Sequence, residues 1–199
     1  MPSKYRVRGI FKGLVYRVAK PMQEMSVPPN SVTFLTLFFA LLGSLFLLVI
    51  GSEPLFGVFV FLVGFFDGVD GAIAKGAGRS SAIGALTDSV IDKISEVVLI
   101  LGIALAYEGQ DFLSLPIPIW TFLCISGWLL TSYTRSRAES LGVTDLDVGL
   151  GARSERLLTL VMFSIFSILL WGLVIVTLMG LLTAAYRFQH FTKELSMQT

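Results

Sequence analysis

The chain has one cysteine, Cys124, and one histidine, His190, among its 199 residues. A single cysteine excludes an internal disulfide framework, and one of each is too few for a zinc site built from thiolates and imidazoles. Charge is scarce as well. Asp, Glu, Lys and Arg make up 15% of the chain, where a soluble domain carries about a quarter. The formal net charge is +1, and no nucleic-acid partner is expected. No cleaved signal peptide is expected either, because the first 20 residues are basic and amphipathic rather than a charged tip before an apolar core.

Apolar residues fill the space that charge leaves. They make up 54% of the chain, and the mean hydropathy is +0.79. Crossing a bilayer takes about 20 apolar residues as a helix. Four runs qualify, at 31–50, 54–74, 83–107 and 117–133, followed by an overlong run at 157–185. Positive-inside bookkeeping divides that last run into a hairpin turning near Trp171-Gly172. With the N-terminus cytoplasmic, Lys75, Arg79, Arg135, Arg137, Arg153, Arg156, Arg187 and Lys193 then fall on one side, and the opposite tips carry no Lys or Arg. The expected fold is all-α: six transmembrane helices in one domain over 30–190, with both termini cytoplasmic. A juxtamembrane segment, 1–29, precedes it and a tail, 191–199, follows.

Within 1–29, Lys4, Arg6, Arg8, Lys12, Arg17 and Lys20 are interleaved with Tyr5, Ile10, Phe11, Leu14, Val15 and Val18. The spacing predicts an amphipathic helix on the cytoplasmic leaflet. Pro28-Pro29 breaks it, with Asn30 or Ser31 as the expected cap of the first span. Cys124 reads as a small packing residue, His190 as interfacial, and Trp120, Trp128 and Trp171 as interface markers or groove linings.

Four aspartates stand out against this background. Asp67, Asp70, Asp88 and Asp92 lie within 26 residues, in or beside apolar runs. A carboxylate at mid-membrane depth costs about 2.5 to 3.5 kcal/mol on insertion scales, so four imply compensation by cations. Spacings of three and four place each pair on one helix face, and the two faces meet across a short turn at the cytoplasmic end. Oxygen-only ligation suits Mg²⁺, Mn²⁺ or Ca²⁺. Gly68, Gly71, Gly76, Gly78 and Gly84 leave room for a phosphorylated ligand or for helix packing. Glu96 extends the face by one turn, to tune Asp92 or order water, or equally to pair with a cation on a neighbouring helix. A transporter is the rival class, but its polar groups would be spread across membrane depth, whereas these acids gather at one side.

The residues spell D-x-x-D-G-x-x-A-K, eight residues, then G-x-x-x-D-x-x-x-D. This resembles the motif of the CDP-alcohol phosphotransferase family, with Lys75 in place of that family's arginine. The resemblance implies displacement of CMP from a CDP-lipid by a second alcohol, with two divalent ions, Mg²⁺ or Mn²⁺. It implies Asp67, Asp70 and Asp88 as metal ligands and Asp92 as ligand and general base. Asn30 (in a Pro-Asn-x-x-Thr stretch), Asp70, Gly71, Lys75, Ser81 and Gly84 would bind the CDP-lipid and CMP.

A second stretch, Ser132-Tyr133-Thr134-Arg135-Ser136-Arg137-Ala138-Glu139, and the later Ala152-Arg153-Ser154-Glu155-Arg156 resemble the branch making phosphatidylinositol phosphate or archaetidylinositol phosphate. That implies an acceptor carrying its own phosphate, inositol phosphate first and glycerol 3-phosphate next, held by Ser132, Arg135, Arg137, Arg153 and Arg187. Arg156 reads equally as a topology determinant. A homodimer in the plasma membrane, embedded among membrane lipids with its site facing the cytoplasm, completes the expectation.

Overall fold

The computed structural model describes residues 8–76, 81–149 and 151–197; Lys4, Tyr5, Arg6, Gly78, Arg79 and the side chains of Arg8 and Ile10 lie outside it. Seven helices are described: α1 (Arg8–Glu24), α2 (Pro29–Ile50), α3 (Glu53–Gly76), α4 (Ala82–Ala106), α5 (Ile117–Ser140), α6 (Arg153–Ile165) and α7 (Leu169–Ser196). A two-residue hairpin, β1 (Asp111–Phe112) with β2 (Leu115–Pro116), joins α4 to α5. The all-α expectation holds. Among the described residues, three helices, α2, α3 and α7, are long and apolar enough to cross a membrane.

Helix α2 packs against α3 and α4, α5 lies along α7, and α6 fits between α3 and α7. The main core cluster includes Leu47, Phe56, Val60, Leu99, Ile103, Leu160 and Leu173, and two smaller ones centre on Ala19, Val32, Val69 and Ile73 and on Ala138, Val143, Val148 and Phe191. Close approach of α5 to α7 depends on two glycines. A Cβ on Gly127 would lie 2.9 Å from the Leu181 nitrogen, and one on Gly180 2.8 Å from Trp128 Cδ1. Small residues let backbones meet where apolar surface alone supplies little attraction between helices. Thr131 uses that proximity, donating to the Gly180 carbonyl at 2.9 Å. Trp128 is itself a core residue, 1% exposed, and so neither an interface marker nor a groove lining.

Three local expectations change. Helix α2 begins at Pro29, with Pro28 as N-cap and no side-chain cap from Asn30 or Ser31. Proline at the first helical position brings a suitable φ and has no N–H to satisfy. The last hairpin turns at Phe166–Ile168 rather than Trp171-Gly172, because Glu53 Oε2 accepts the Leu169 N–H at 2.8 Å and starts α7 there. Helix α6 therefore has 13 residues, about 20 Å, and α7 has 28. In α1 the half-buried or buried face is Phe11, Val15, Val18, Ala19 and Met22, while Leu14 is exposed. The helix lies against α3, with Gln23 donating to the Ala72 carbonyl at 2.9 Å.

Candidate active site

The four aspartates sit where the end of α3 faces the start of α4. These two helices barely touch, since α2 packs against both and leaves a gap between them. Carboxylate oxygens of Asp67, Asp70 and Asp88 come within 4.8 Å of one another. Asp70 is 4% exposed, and its Oδ2 accepts from Thr33 Oγ1 of α2 at 2.9 Å. Thr33, not among the residues expected at the site, closes the same Pro-Asn-x-x-Thr stretch that holds Asn30.

This donor set fits a divalent cation. Three carboxylates converge without a thiol or imidazole among them, and hard oxygen ligands are what Mg²⁺ and Mn²⁺ take. Asp92 stands beside the triad rather than within it. Its Oδ2 accepts from Arg153 Nη1 at 2.6 Å, while its Oδ1 is buried with no hydrogen-bond partner.

Arg153, at the first position of α6, reaches into the carboxylates. Its Nη1 is 2.5 Å from Asp67 Oδ1 as well as 2.6 Å from Asp92, and its Nε is 2.9 Å from Glu96 Oε1. Glu96 thus pairs with a cation of a neighbouring helix, Arg153 of α6, and it also takes Lys93 Nζ of its own helix at 2.8 Å. Arg156 is 1% exposed, stacks over Trp128 with its guanidinium carbon 4.6 Å from the ring centroid, and lies 4.0 Å from Glu96. A residue so deep in the core does not act as a surface topology determinant.

A cavity of about 870 Å³ opens onto this cluster. Its wall carries all four aspartates and Gly71 together with Ser132, Arg135, Arg153 and Arg187. From α5 it also takes Ser136 and Glu139, which with 132 and 135 follow the helical period. Arg137 is two positions from Arg135, about 200° round the helix, and the described wall does not include it. It is exposed, with Ser140 Oγ at 3.4 Å. Arg187 is 3% exposed and acts as a strut, donating from Nε to the Val148 carbonyl at 3.0 Å and from Nη1 to Thr131 O at 2.7 Å. Arg135 is about half exposed, 3.8 Å from Asp147.

Asn30, Lys75, Ser81 and Gly84 are not on the described wall. Ser81 caps α4 by accepting the Gly84 N–H at 3.0 Å, and a Cβ on Gly84 would meet Asn30 Oδ1 at 3.6 Å. These three therefore form one group at the starts of α2 and α4, and Lys75 is exposed at the end of α3. Helix α1 covers the cavity with Phe11 and Val15; a Cβ on Gly68 would lie 3.2 Å from Val15, so the glycine beside Asp67 seats that helix. His190 lies 3.9 Å from Asp145 and 3.8 Å from Glu194, away from the cavity, in keeping with a non-catalytic place.

A helical bundle with an oxygen-only acidic centre, opening into a large cavity lined by arginines, defines the class of metal-dependent phosphoryl-group transferases embedded in membranes. Residues 26–188 match the CDP-alcohol phosphatidyltransferase family, and the chain belongs to that family. It is 29% identical over 194 residues to the archaetidylinositol phosphate synthase of Pyrococcus horikoshii, covering 96% of this chain and 98% of that protein. It is 31% identical over 157 residues to the phosphatidylinositol phosphate synthase of Streptomyces avermitilis, covering 79% of this chain and 64% of that one. The crystal structure of Mycobacterium tuberculosis phosphatidylinositol phosphate synthase with CDP-DAG bound superposes with a TM-score of 0.75 at 25% identity, over 89% of this chain and 92% of that chain.

Proposed function

We infer that this transferase moves the phospholipid group of a CDP-lipid onto a hydroxyl of a phosphorylated polyol, inositol phosphate first, and releases CMP. One observation carries the reading: a single cavity joins the carboxylate triad to Arg135 and Arg153. A lipid-linked diphosphate needs cations at one end of such a cavity, and an acceptor with its own phosphate needs guanidinium donors at the other. The relatives named archaetidylinositol phosphate synthase and phosphatidylinositol phosphate synthase, and the CDP-DAG-bound neighbour, support the same pairing.

Asp67, Asp70 and Asp88 would hold the divalent ions, Mg²⁺ or Mn²⁺ and two in number. When bound, these supply charge neutralisation at the diphosphate and the leaving CMP. Asp92 Oδ1, buried and without a partner, is the oxygen that takes the acceptor's hydroxyl proton. Gly71 lets the nucleotide approach the α3 backbone. Asn30, Ser81 and Gly84 receive the cytidine from the side, with Lys75 reaching the diphosphate. Ser132, Arg135 and Arg153 bind the acceptor phosphate, and Arg187 supports them from behind.

Six helices, α2–α7, lie in the plasma membrane of a homodimer, with the site and both termini cytoplasmic and α1 on the leaflet. The outer face of α2 supports this, presenting Phe34, Phe38, Leu41, Leu45 and Leu48, each about half exposed, as a continuous apolar stripe for lipid. The short α6 begins at the depth of the aspartates, because Arg153 at its first position must reach them.

The test is CMP release from CDP-lipid by the purified chain in detergent, with inositol 1-phosphate, glycerol 3-phosphate, serine or free inositol as acceptor. Release is expected with Mg²⁺ or Mn²⁺, none with EDTA, and the highest rate with inositol 1-phosphate. Equal rates with free inositol would overturn the phosphate-bearing acceptor.

A further inference from the structure

We propose that Arg153 is the exchangeable counter-cation of the carboxylate centre, and that its displacement couples metal binding to capture of the acceptor's phosphate. Five carboxylates crowd this region: Asp67, Asp70, Asp88, Asp92 and Glu96. Among the described residues, three cations answer them: Lys93, Arg153 and Arg156. Of the three, Arg153 is the one bridging the metal-binding triad and the general base, through a single nitrogen at 2.5 Å and 2.6 Å. A divalent ion at the triad competes with that nitrogen for Asp67.

The guanidinium has somewhere to go. Its Nη2 is buried with no hydrogen-bond partner, and the residue shares the cavity wall with Ser132 and Arg135. Its backbone stays put, because the preceding loop is pinned to α7: Gly151 N–H donates to Thr183 Oγ1 at 3.0 Å and Val148 O accepts from Arg187. Glu96, 2.9 Å from Nε, tethers the side chain at its stem. Metal entry therefore frees a donor edge on the acceptor side by side-chain movement alone. Linkage makes the effect reciprocal, so an acceptor phosphate that draws Arg153 away from Asp67 tightens the metal. An enzyme built so assembles its acceptor site only when the metal is present. The exchange stands on geometry alone, whereas the coupling rests on the acceptor reading given above.

Mn²⁺ titrated calorimetrically into the metal-free full chain in detergent tests both halves. Arg153→Gln is expected to bind Mn²⁺ about tenfold more tightly than wild type, the low end of typical coupling being about fivefold. Arg153→Lys keeps the charge but has one nitrogen, so it cannot hold Asp67 and Asp92 while a second nitrogen stays on Glu96, and it separates displacement from loss of charge; it should fall between the two, and it decides the matter where Arg153→Gln does not fold. Unchanged Mn²⁺ affinity in both variants overturns the exchange. In wild type, saturating inositol 1-phosphate should tighten Mn²⁺ by about fivefold or more, and in Arg153→Gln that enhancement should vanish. CMP release with inositol 1-phosphate but no such enhancement overturns the coupling. No release with that acceptor overturns the acceptor reading instead, and the same titration with whichever acceptor reacts then decides the coupling.

Discussion

Thr33 on α2 donates its hydroxyl hydrogen to Asp70 Oδ2 on α3, at 2.9 Å, where both residues are almost fully buried. The bond fixes the orientation of one carboxylate of the triad that Asp70 forms with Asp67 and Asp88. Outer partners of this kind orient metal ligands and are worth about 10- to 100-fold in metal affinity. Thr33→Val should lower Mn²⁺ affinity by that factor, measured by calorimetry, and Thr33→Ser should restore most of it. Equal affinities in all three proteins would show that Asp70 needs no orienting partner.

Asp92→Asn should cut turnover by about two to four orders of magnitude, the usual range for a general base. CDP-lipid binding should stay close to wild type, because the triad of Asp67, Asp70 and Asp88 is left intact. Rapid-quench turnover and equilibrium binding of CDP-lipid separate the two effects. A near-normal rate removes Asp92 from the chemistry.

The arginines of α5 give a contrast two residues apart. Arg135→Gln removes a charge-assisted contact worth about 1.5 to 3 kcal/mol, so the acceptor KM should rise by about tenfold or more while CDP-lipid affinity holds. Arg137→Gln should leave the acceptor KM near wild type, since that side chain points away from the cavity. Steady-state kinetics with inositol 1-phosphate check both, and a large effect at Arg137 would mean that the acceptor binds outside this cavity.

At the far end of the bundle, Glu53 links three helices, accepting from the Tyr107 hydroxyl after α4 and from the Leu169 N–H of α7. Glu53→Ala leaves both donors without their partner, at about 1 to 3 kcal/mol for each. The melting temperature in detergent should fall clearly, and by less in Tyr107→Phe. The rate per folded molecule should not change, because the node is remote from the aspartates. A specific loss of turnover without loss of stability would contradict this.

Lys75→Arg should be tolerated. The side chain is exposed at the end of α3, with room for a guanidinium, which can add a second hydrogen bond to a phosphate. CMP-release rates within about twofold of wild type are expected, and a large loss would place Lys75 somewhere tighter than the diphosphate it is assigned to.

The helices, the aspartate faces and the family were all legible in the residues, and for one reason: each is written in short-range spacing. Intervals of three and four residues place Asp67 with Asp70, and Asp88 with Asp92, whatever surrounds them. Apolar runs of about 20 residues announce helices before any packing is known. The same arithmetic could have separated Arg135 from Arg137, since the helical period alone turns them to different faces. What only the tertiary structure decided involves partners far apart in the chain. Arg153 meets Asp92 across 61 residues, Thr33 meets Asp70 across 37, and Glu53 sets the start of α7 across 116. A buried donor takes whichever acceptor the packing presents, and no local pattern names that acceptor in advance. Arg153 and Arg156 look alike in the sequence, three residues apart on one helix. Packing sent one guanidinium to the aspartates and laid the other over Trp128.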